Sequence, residues 1–197
     1  MIAILDYGSG NLRSAQRAFA TTGHDVQLTS DLDIALKADG LVVPGVGAFA
    51  ACMNGINEIS AADVIRQRNI AGKATLGICI GMQILFSDGL EHGNHKGIGM
   101  WQGAVTELKA PILPHMGWNT VEITGATQLF KGVERESFYF VHSFAAKESV
   151  GTSQAWSTHG EKFLAAVEDG ALSATQFHPE KSGQAGLTLI ANWSATL

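Results

Sequence analysis

Gly77-Ile78-Cys79-Ile80-Gly81 sets a cysteine where a nucleophile could be activated. The apolar run over 74–78 reads as a buried strand, and 82–86 continues with helical spacing. A nucleophile at the apex of a strand-to-helix turn is a nucleophile elbow, here built on cysteine instead of serine. The flanking glycines are expected to let the chain turn sharply. A thiol at a helix start meets unpaired backbone N–H groups and the positive end of the helix dipole, which favour thiolate, the form that attacks carbon. Downstream, His178-Pro179-Glu180 offers a base and a carboxylate. On an extended chain, side chains two residues apart point to the same side. Cys79, His178 and Glu180 therefore form a candidate triad for acyl transfer, in which thiol attacks, imidazole moves the proton and carboxylate orients the ring. Each piece alone has a plainer reading, a small buried cysteine and a loop histidine before proline. Their conjunction, in this chain order, favours catalysis.

A tetrahedral oxyanion needs at least two fixed donors. One is the N–H of Ile80, directly after the nucleophile. The other is expected from Gly45-Val46-Gly47, where glycines allow a peptide to turn its N–H inward; the plainer reading is an ordinary strand-to-helix turn. Gln83, one turn past Cys79, could orient a substrate through its amide or simply face solvent. Other features point less clearly to chemistry. Gly8-Ser9-Gly10 after a strand, with Asp31 further on, invites a dinucleotide reading, but Arg13 stands where the third glycine belongs. That segment reads as a turn facing a partner. His92 and His95 lack the Cys or carboxylate pattern that would complete a metal site, and Cys52 has no elbow and reads as packing. No metal and no cofactor is expected.

These residues require a frame that places 45–47, 79 and 178 at one end of a sheet. Strands are expected over 2–5, 25–28, 41–43 and 74–78, with helices over 11–22, 31–38 and 61–68 between them. Short connections between alternating strands and helices imply a mostly parallel, flavodoxin-like sheet with helices on both faces, and ligands in such sheets bind at the carboxyl ends of the strands. The second half changes character. Segments 105–108, 118–123, 138–141 and 171–177 are strand-like with few helices between, so antiparallel additions and the far edge of one sheet are expected. A closing helix is expected over 187–193. No repeat or composition break divides the chain, so 1–197 is read as one α/β domain, long enough to bury about 70% of its unfolded surface.

Net charge is −5 and pI about 5.7, and the 13 Lys and Arg form no run, which argues against nucleic acid as a partner. The apolar start at 1–5 is too short for a signal-peptide core. Residues 40–57 carry no charge, but they include Pro44, four glycines and two asparagines, so no membrane span is expected there. A disulfide between the two cysteines, Cys52 and Cys79, would consume the nucleophile. A reducing, cytoplasmic setting fits better.

Taken together, Asp6-Tyr7-Gly8-Ser9-Gly10-Asn11-Leu12, Pro44-Gly45-Val46-Gly47-Ala48-Phe49, the elbow through Gln83, Pro114-His115-Met116-Gly117-Trp118-Asn119, Tyr139-Phe140-Val141-His142-Ser143 and His178-Pro179-Glu180-Lys181-Ser182 resemble the class I (triad) glutamine amidotransferases. Within them, the segments resemble the glutaminase subunits of imidazole glycerol phosphate synthases. Ile80 stands where that family usually has Leu, Phe144 where it often has an aromatic hydroxyl, and 88–95 matches poorly. The resemblance implies L-glutamine as substrate, a glutamyl thioester on Cys79, and substrate contacts from Val46, Gly47, Ile80, Gln83 and Ser143. It also implies that the 45–47 loop completes the oxyanion hole when a partner is engaged. Ammonia freed into neutral water would mostly protonate, and the chain shows no second domain to use it. The implied partner is a (β/α)8-barrel synthase forming a heterodimer with this chain, with Asn11, Met116, Trp118, Asn119, Tyr139 and Lys181 as interface candidates. Rival readings are another triad glutaminase, a cysteine peptidase on a related sheet, and a non-catalytic binding subunit.

Overall fold

The computed structural model describes residues 1–197. In chain order it has β1 (Ile2–Leu5), α1 (Leu12–Ala20), β2 (Val26–Thr29), α2 (Leu32–Lys37), β3 (Gly40–Gly45), α3 (Phe49–Glu58), α4 (Ala61–Ile70), β4 (Thr75–Cys79), α5 (Ile80–Gln83), β5 (Phe86–Gly89) and β6 (His95–Lys96). It continues with β7 (Trp101–Glu107), β8 (His115–Thr120), β9 (Glu122–Thr124), β10 (Ser137–His142), β11 (Phe144–Ala145), β12 (Ser153–His159), β13 (Glu161–Asp169), β14 (Leu172–Thr175), a 3-10 turn (Pro179–Lys181) and α6 (Gly183–Ser194).

The central sheet runs β2-β1-β3-β4-β14-β13-β12-β9. Its first five strands are parallel and follow the doubly wound flavodoxin-like order, and the last three are antiparallel. β1, β3 and β4 are buried along their whole length, as continuous apolar runs covered on both faces must be. Helix α1 packs against α6 and α4 against α2 and α3, two groups that cover the two faces. Asn11 caps α1 by accepting from the Ser14 N–H, and the helix buries Ala15, Ala18 and Phe19, one stripe at helical spacing. Phe19 meets Trp193 of α6 edge-on at 5.6 Å. No helix is long and apolar enough to cross a membrane.

Arg68 of α4 is fully buried with no carboxylate bonded to it. Its guanidinium donates instead to the carbonyls of Ala35, Leu36, Ala38, Asp39 and Ala74, gathering the carboxyl end of α2 and the start of β4. Burial lowers its pKa to about 10, so it keeps its charge at neutral pH, and the helix carbonyls supply the partial negative charge that a buried cation requires.

Several elements differ from the sequence expectation. The helix expected over 82–86 is a single turn that ends at Gln83, because Phe86 already pairs with Trp101 as the first residue of β5 in a small sheet, β11-β7-β5-β6. The strand expected over 118–123 begins at His115 and breaks at Val121: β8 pairs with β10 in a separate two-stranded sheet, while β9 joins the edge of the central sheet. The second half thus supplies the expected antiparallel far edge of the central sheet and also contributes to two small separate sheets. The hairpin of β12 and β13, closed at Gly160 with φ +72°, has no apolar alternation in its sequence, because the inward positions of β12 are Ser153, Ala155 and Ser157 and β13 is buried continuously over 163–167, with Ala165 the extra residue at a register shift.

Candidate active site

Three strand ends bring the site together. Gly45 closes β3 and lies in register with Cys79, which closes β4, while β14 leads through Gln176 to His178. Cys79 has φ 57° and ψ −112°, a conformation that side-chain-bearing residues rarely adopt and that costs about 1–3 kcal/mol. The strain sits on the candidate nucleophile itself. Gly77 and Gly81 are absent from the positive-φ residues, so their role is space, not the flexibility expected of them. A Cβ on Gly81 would stand 1.8 Å from the Val43 carbonyl oxygen, and one on Gly77 would stand 2.6 Å from the Gly81 carbonyl oxygen. The elbow is pressed onto the end of β3, which is how the 45–47 loop comes to face the sulfur. With α5 only one turn long, no macrodipole of any length stands behind the sulfur, contrary to the helix start expected there.

His178 is held by its neighbours on both sides. Its N–H donates to the Tyr139 carbonyl at 2.9 Å, and its carbonyl accepts from Ser182 Oγ at 2.6 Å while that oxygen accepts the Tyr139 N–H at 2.9 Å. The backbone then enters the 3-10 turn instead of staying extended. That turn, not strand alternation, brings Glu180 back to its partner, with Nδ1 to Oε1 at 2.8 Å and both side chains buried. Because a carboxylate accepts, the ring proton sits on Nδ1 and Nε2 is left for the thiol.

Burial by itself would lower the pKa of His178. The Cys79 sulfur and the Glu180 carboxylate, through hydrogen bonding and negative charge, outweigh burial and raise it to about 9. A folded-state value above the unfolded one means that His178 contributes stability in full below about 6.5, and that this is lost as pH rises through about 9. Glu180→Gln removes one of the two supports, so the alkaline limb of kcat/KM should move to lower pH. A pH–rate profile with the limb unmoved would show that Glu180 does not set the charge of the ring.

One cavity of about 590 Å³ is lined by Cys79, His178, Val46, Gly47, Ile80, Gln83, Ser143 and Lys181, together with Glu91, His92, Glu107, Pro114, Val141, His142 and Phe144. Gln83 is buried, contrary to a solvent-facing role, and its Nε2 is already committed to the Phe144 carbonyl at 2.8 Å and Gln176 Oε1 at 2.9 Å. Its Oε1 has no partner, so the oxygen is the atom it can offer a substrate. The Val46 N–H donates to Ser9 Oγ at 3.2 Å, and the same hydroxyl donates to the Val46 carbonyl at 2.8 Å. The second expected oxyanion donor is thus occupied. Gly8-Ser9-Gly10 packs on this loop: Ser9 bonds Val46, and a Cβ on Gly10 would lie 3.0 Å from Pro44.

Of the interface candidates, Met116 and Trp118 are exposed on the outer face of β8, and Trp118 meets Tyr139 of β10 edge-on at 6.1 Å. Asn11 is exposed at the α1 cap. Asn119 belongs to the opposite face, and its amide nitrogen is committed to His115 and the Thr158 carbonyl. His95 does not line the cavity and His92 does, but no group of three His, Cys, Asp or Glu is placed to hold a metal ion. Cys52 is buried against Ser9, and both cysteines are free. Sequence reasoning passes over Gln176, whose Nε2 reaches the Cys79 sulfur at 3.7 Å, and over Glu91 and Glu107; it reads Ser9 as part of a turn but not as the partner of Val46. Gln176 was detectable as the one amide in an apolar strand, two residues before His178 and so on its side.

Residues 3–195 match the family described as Glutamine amidotransferase class-I. The chain is 56% identical to "Imidazole glycerol phosphate synthase subunit HisH" of Mycobacterium bovis, over 98% of this chain and 96% of the relative. It is 52% identical to the protein of the same name from Streptomyces avermitilis, over 100% of this chain and 96% of the relative. A crystal structure described as glutamine amidotransferase shares the fold with a TM-score of 0.74 at 17% identity, covering 96% of this chain and 98% of that one.

Proposed function

The chain belongs to the class-I glutamine amidotransferases, and from that premise we propose that it is a single glutaminase domain, hydrolysing L-glutamine to glutamate and ammonia for a synthase that forms imidazole glycerol phosphate in histidine biosynthesis. The observation that carries the reading is the strained Cys79 at the floor of a cavity shared with His178, itself held by Glu180. The cavity also suits a zwitterionic amino acid. Glu91 and Glu107 can face an α-ammonium and Lys181 an α-carboxylate, while Gln83 Oε1 can accept from the carboxamide.

Cys79 Sγ attacks the carboxamide carbon, and the Ile80 N–H receives part of the charge on the oxyanion. His178 Nε2, holding the thiol proton, delivers it to the departing nitrogen as the C–N bond breaks, because ammonia leaves poorly without it. Water then attacks the thioester, His178 takes its proton, and the C–S bond breaks to release glutamate and restore the thiol. Glu180 keeps the ring in the Nδ1–H tautomer throughout.

The partner is a (β/α)8-barrel synthase docked on the Met116, Trp118 and Tyr139 face, in a cytoplasmic setting that keeps both cysteines reduced. With the Val46 N–H bonded to Ser9, the isolated chain lacks one oxyanion donor, a deficit worth about 10²–10³ in rate. Glutamine turnover should therefore rise strongly when the synthase and its nucleotide are added. Ser9→Ala should raise the unstimulated rate and narrow that stimulation. Fast hydrolysis by the isolated chain, unchanged by the synthase, would contradict the coupling and leave a free-standing glutaminase.

A further inference from the structure

His115 and His142 are buried imidazoles that the triad does not use, and their hydrogen bonds have a direction. A backbone carbonyl only accepts, so the 2.9 Å bond from His142 to the Phe144 carbonyl puts the proton on Nδ1 of His142. Its Nε2 is then an acceptor, and the 3.0 Å contact makes His115 Nδ1 the donor. His115 Nε2 in turn accepts from the Asn119 amide at 3.2 Å, whose orientation is fixed by the Thr158 carbonyl and the Thr120 N–H. One arrangement satisfies every member: Asn119 to His115 to His142 to Phe144, with both rings neutral. The chain of bonds continues, because the Phe144 carbonyl also accepts from Gln83, Gln83 donates to Gln176, and Gln176 reaches the Cys79 sulfur.

Packing alone does not call for nitrogen here. His115 stacks on Phe140 at 4.9 Å and on His159 at 4.3 Å, and both buried rings contact Phe163, a setting where an apolar ring would avoid the cost of burying polar atoms. Burial, with His159 beside both rings and His178 beside His142, keeps both neutral at physiological pH, His115 at about 4 and His142 at about 3, although His142 also shares the cavity wall with Glu91, Glu107 and Lys181.

We infer that His115 and His142 are positioning residues, an oriented imidazole pair that fixes the Phe144 carbonyl and with it the Gln83 amide at the substrate, and so ties the pocket wall to β8. The outer face of that strand carries Met116 and Trp118. The kinetic consequence rests on the glutaminase reading, whereas the orientation of the pair does not.

Nitrogen NMR of the histidine rings in the full chain reads the tautomers whether or not glutamine is turned over. Both rings should be Nδ1–H and should not titrate between about pH 5.5 and 8.5, unlike an ordinary histidine. His115→Phe keeps the stack and removes both nitrogens. In the complex with the synthase, its KM for glutamine should rise roughly tenfold, about what one net hydrogen bond supplies, with a smaller change in kcat. His115→Gln, which retains a donor and an acceptor, should recover most of the loss. An Nε2–H tautomer at either wild-type ring, or an unchanged KM in a folded His115→Phe chain, would overturn the inference. Absence of glutamine hydrolysis by the wild-type complex would instead overturn the reaction that the pair is said to serve.

Discussion

Replacing Cys79 by Ala is expected to remove glutamine hydrolysis, with a loss in kcat on the order of 10⁶, as when the nucleophile of a hydrolytic triad is deleted. The expectation follows from position more than from residue type. Cys52 has the same thiol, but it is fully buried in α3 against Ser9 and does not line the cavity, so Cys52→Ala should keep most of the activity. The strain at Cys79 belongs to the backbone, and Ala inherits it, so the variant should fold, losing only the part of the stability that the sulfur contributes through His178. A circular-dichroism melt alongside an ammonia-release assay separates the two effects. Substantial turnover in a folded Cys79→Ala chain would remove the thioester from the mechanism.

His178→Ala is expected to cost about 10²–10⁴-fold or more, because the same nitrogen activates the thiol and protonates the leaving ammonia. Glu180→Gln should cost less. The backbone bonds that hold His178 to Tyr139 and Ser182 remain when the carboxylate charge is removed, so the ring stays near the sulfur in a less strictly fixed tautomer. The two losses should not multiply in the double variant, since Glu180 acts through His178. Near-wild-type kinetics in His178→Ala would require another base, and the other titratable side chains lining the cavity beside Cys79 are Glu91, His92, Glu107, His142 and Lys181.

The parallel half of the fold was legible in the sequence because buried strands and amphipathic helices of a doubly wound sheet each leave a local signature, and the elbow reports a turn whose chemistry is also local. The candidate triad of Cys79, His178 and Glu180 could be assembled in the same way, although the reason His178 meets Glu180 is a 3-10 turn and not an extended chain. What could not be read depends on pairing between distant segments. Nothing within 115–124 tells that β8 leaves the sheet that β9 joins, since the choice is made by partners at 137–142 and 154–156. The Val46 N–H held by Ser9, the free oxygen of Gln83 and the directed pair of His115 and His142 are likewise contacts between loops and strands far apart in the chain.

The central claim, that Cys79 is the residue on which glutamine is opened, is tested most directly by treating the chain, with the synthase present, with a glutamine analogue that carries an electrophile in place of the carboxamide, and mapping the adduct by mass spectrometry. The account predicts a single adduct on the peptide containing Cys79, loss of activity in proportion to labelling, and protection by L-glutamine. An adduct on Cys52, or full activity in a chain labelled at Cys79, would contradict it.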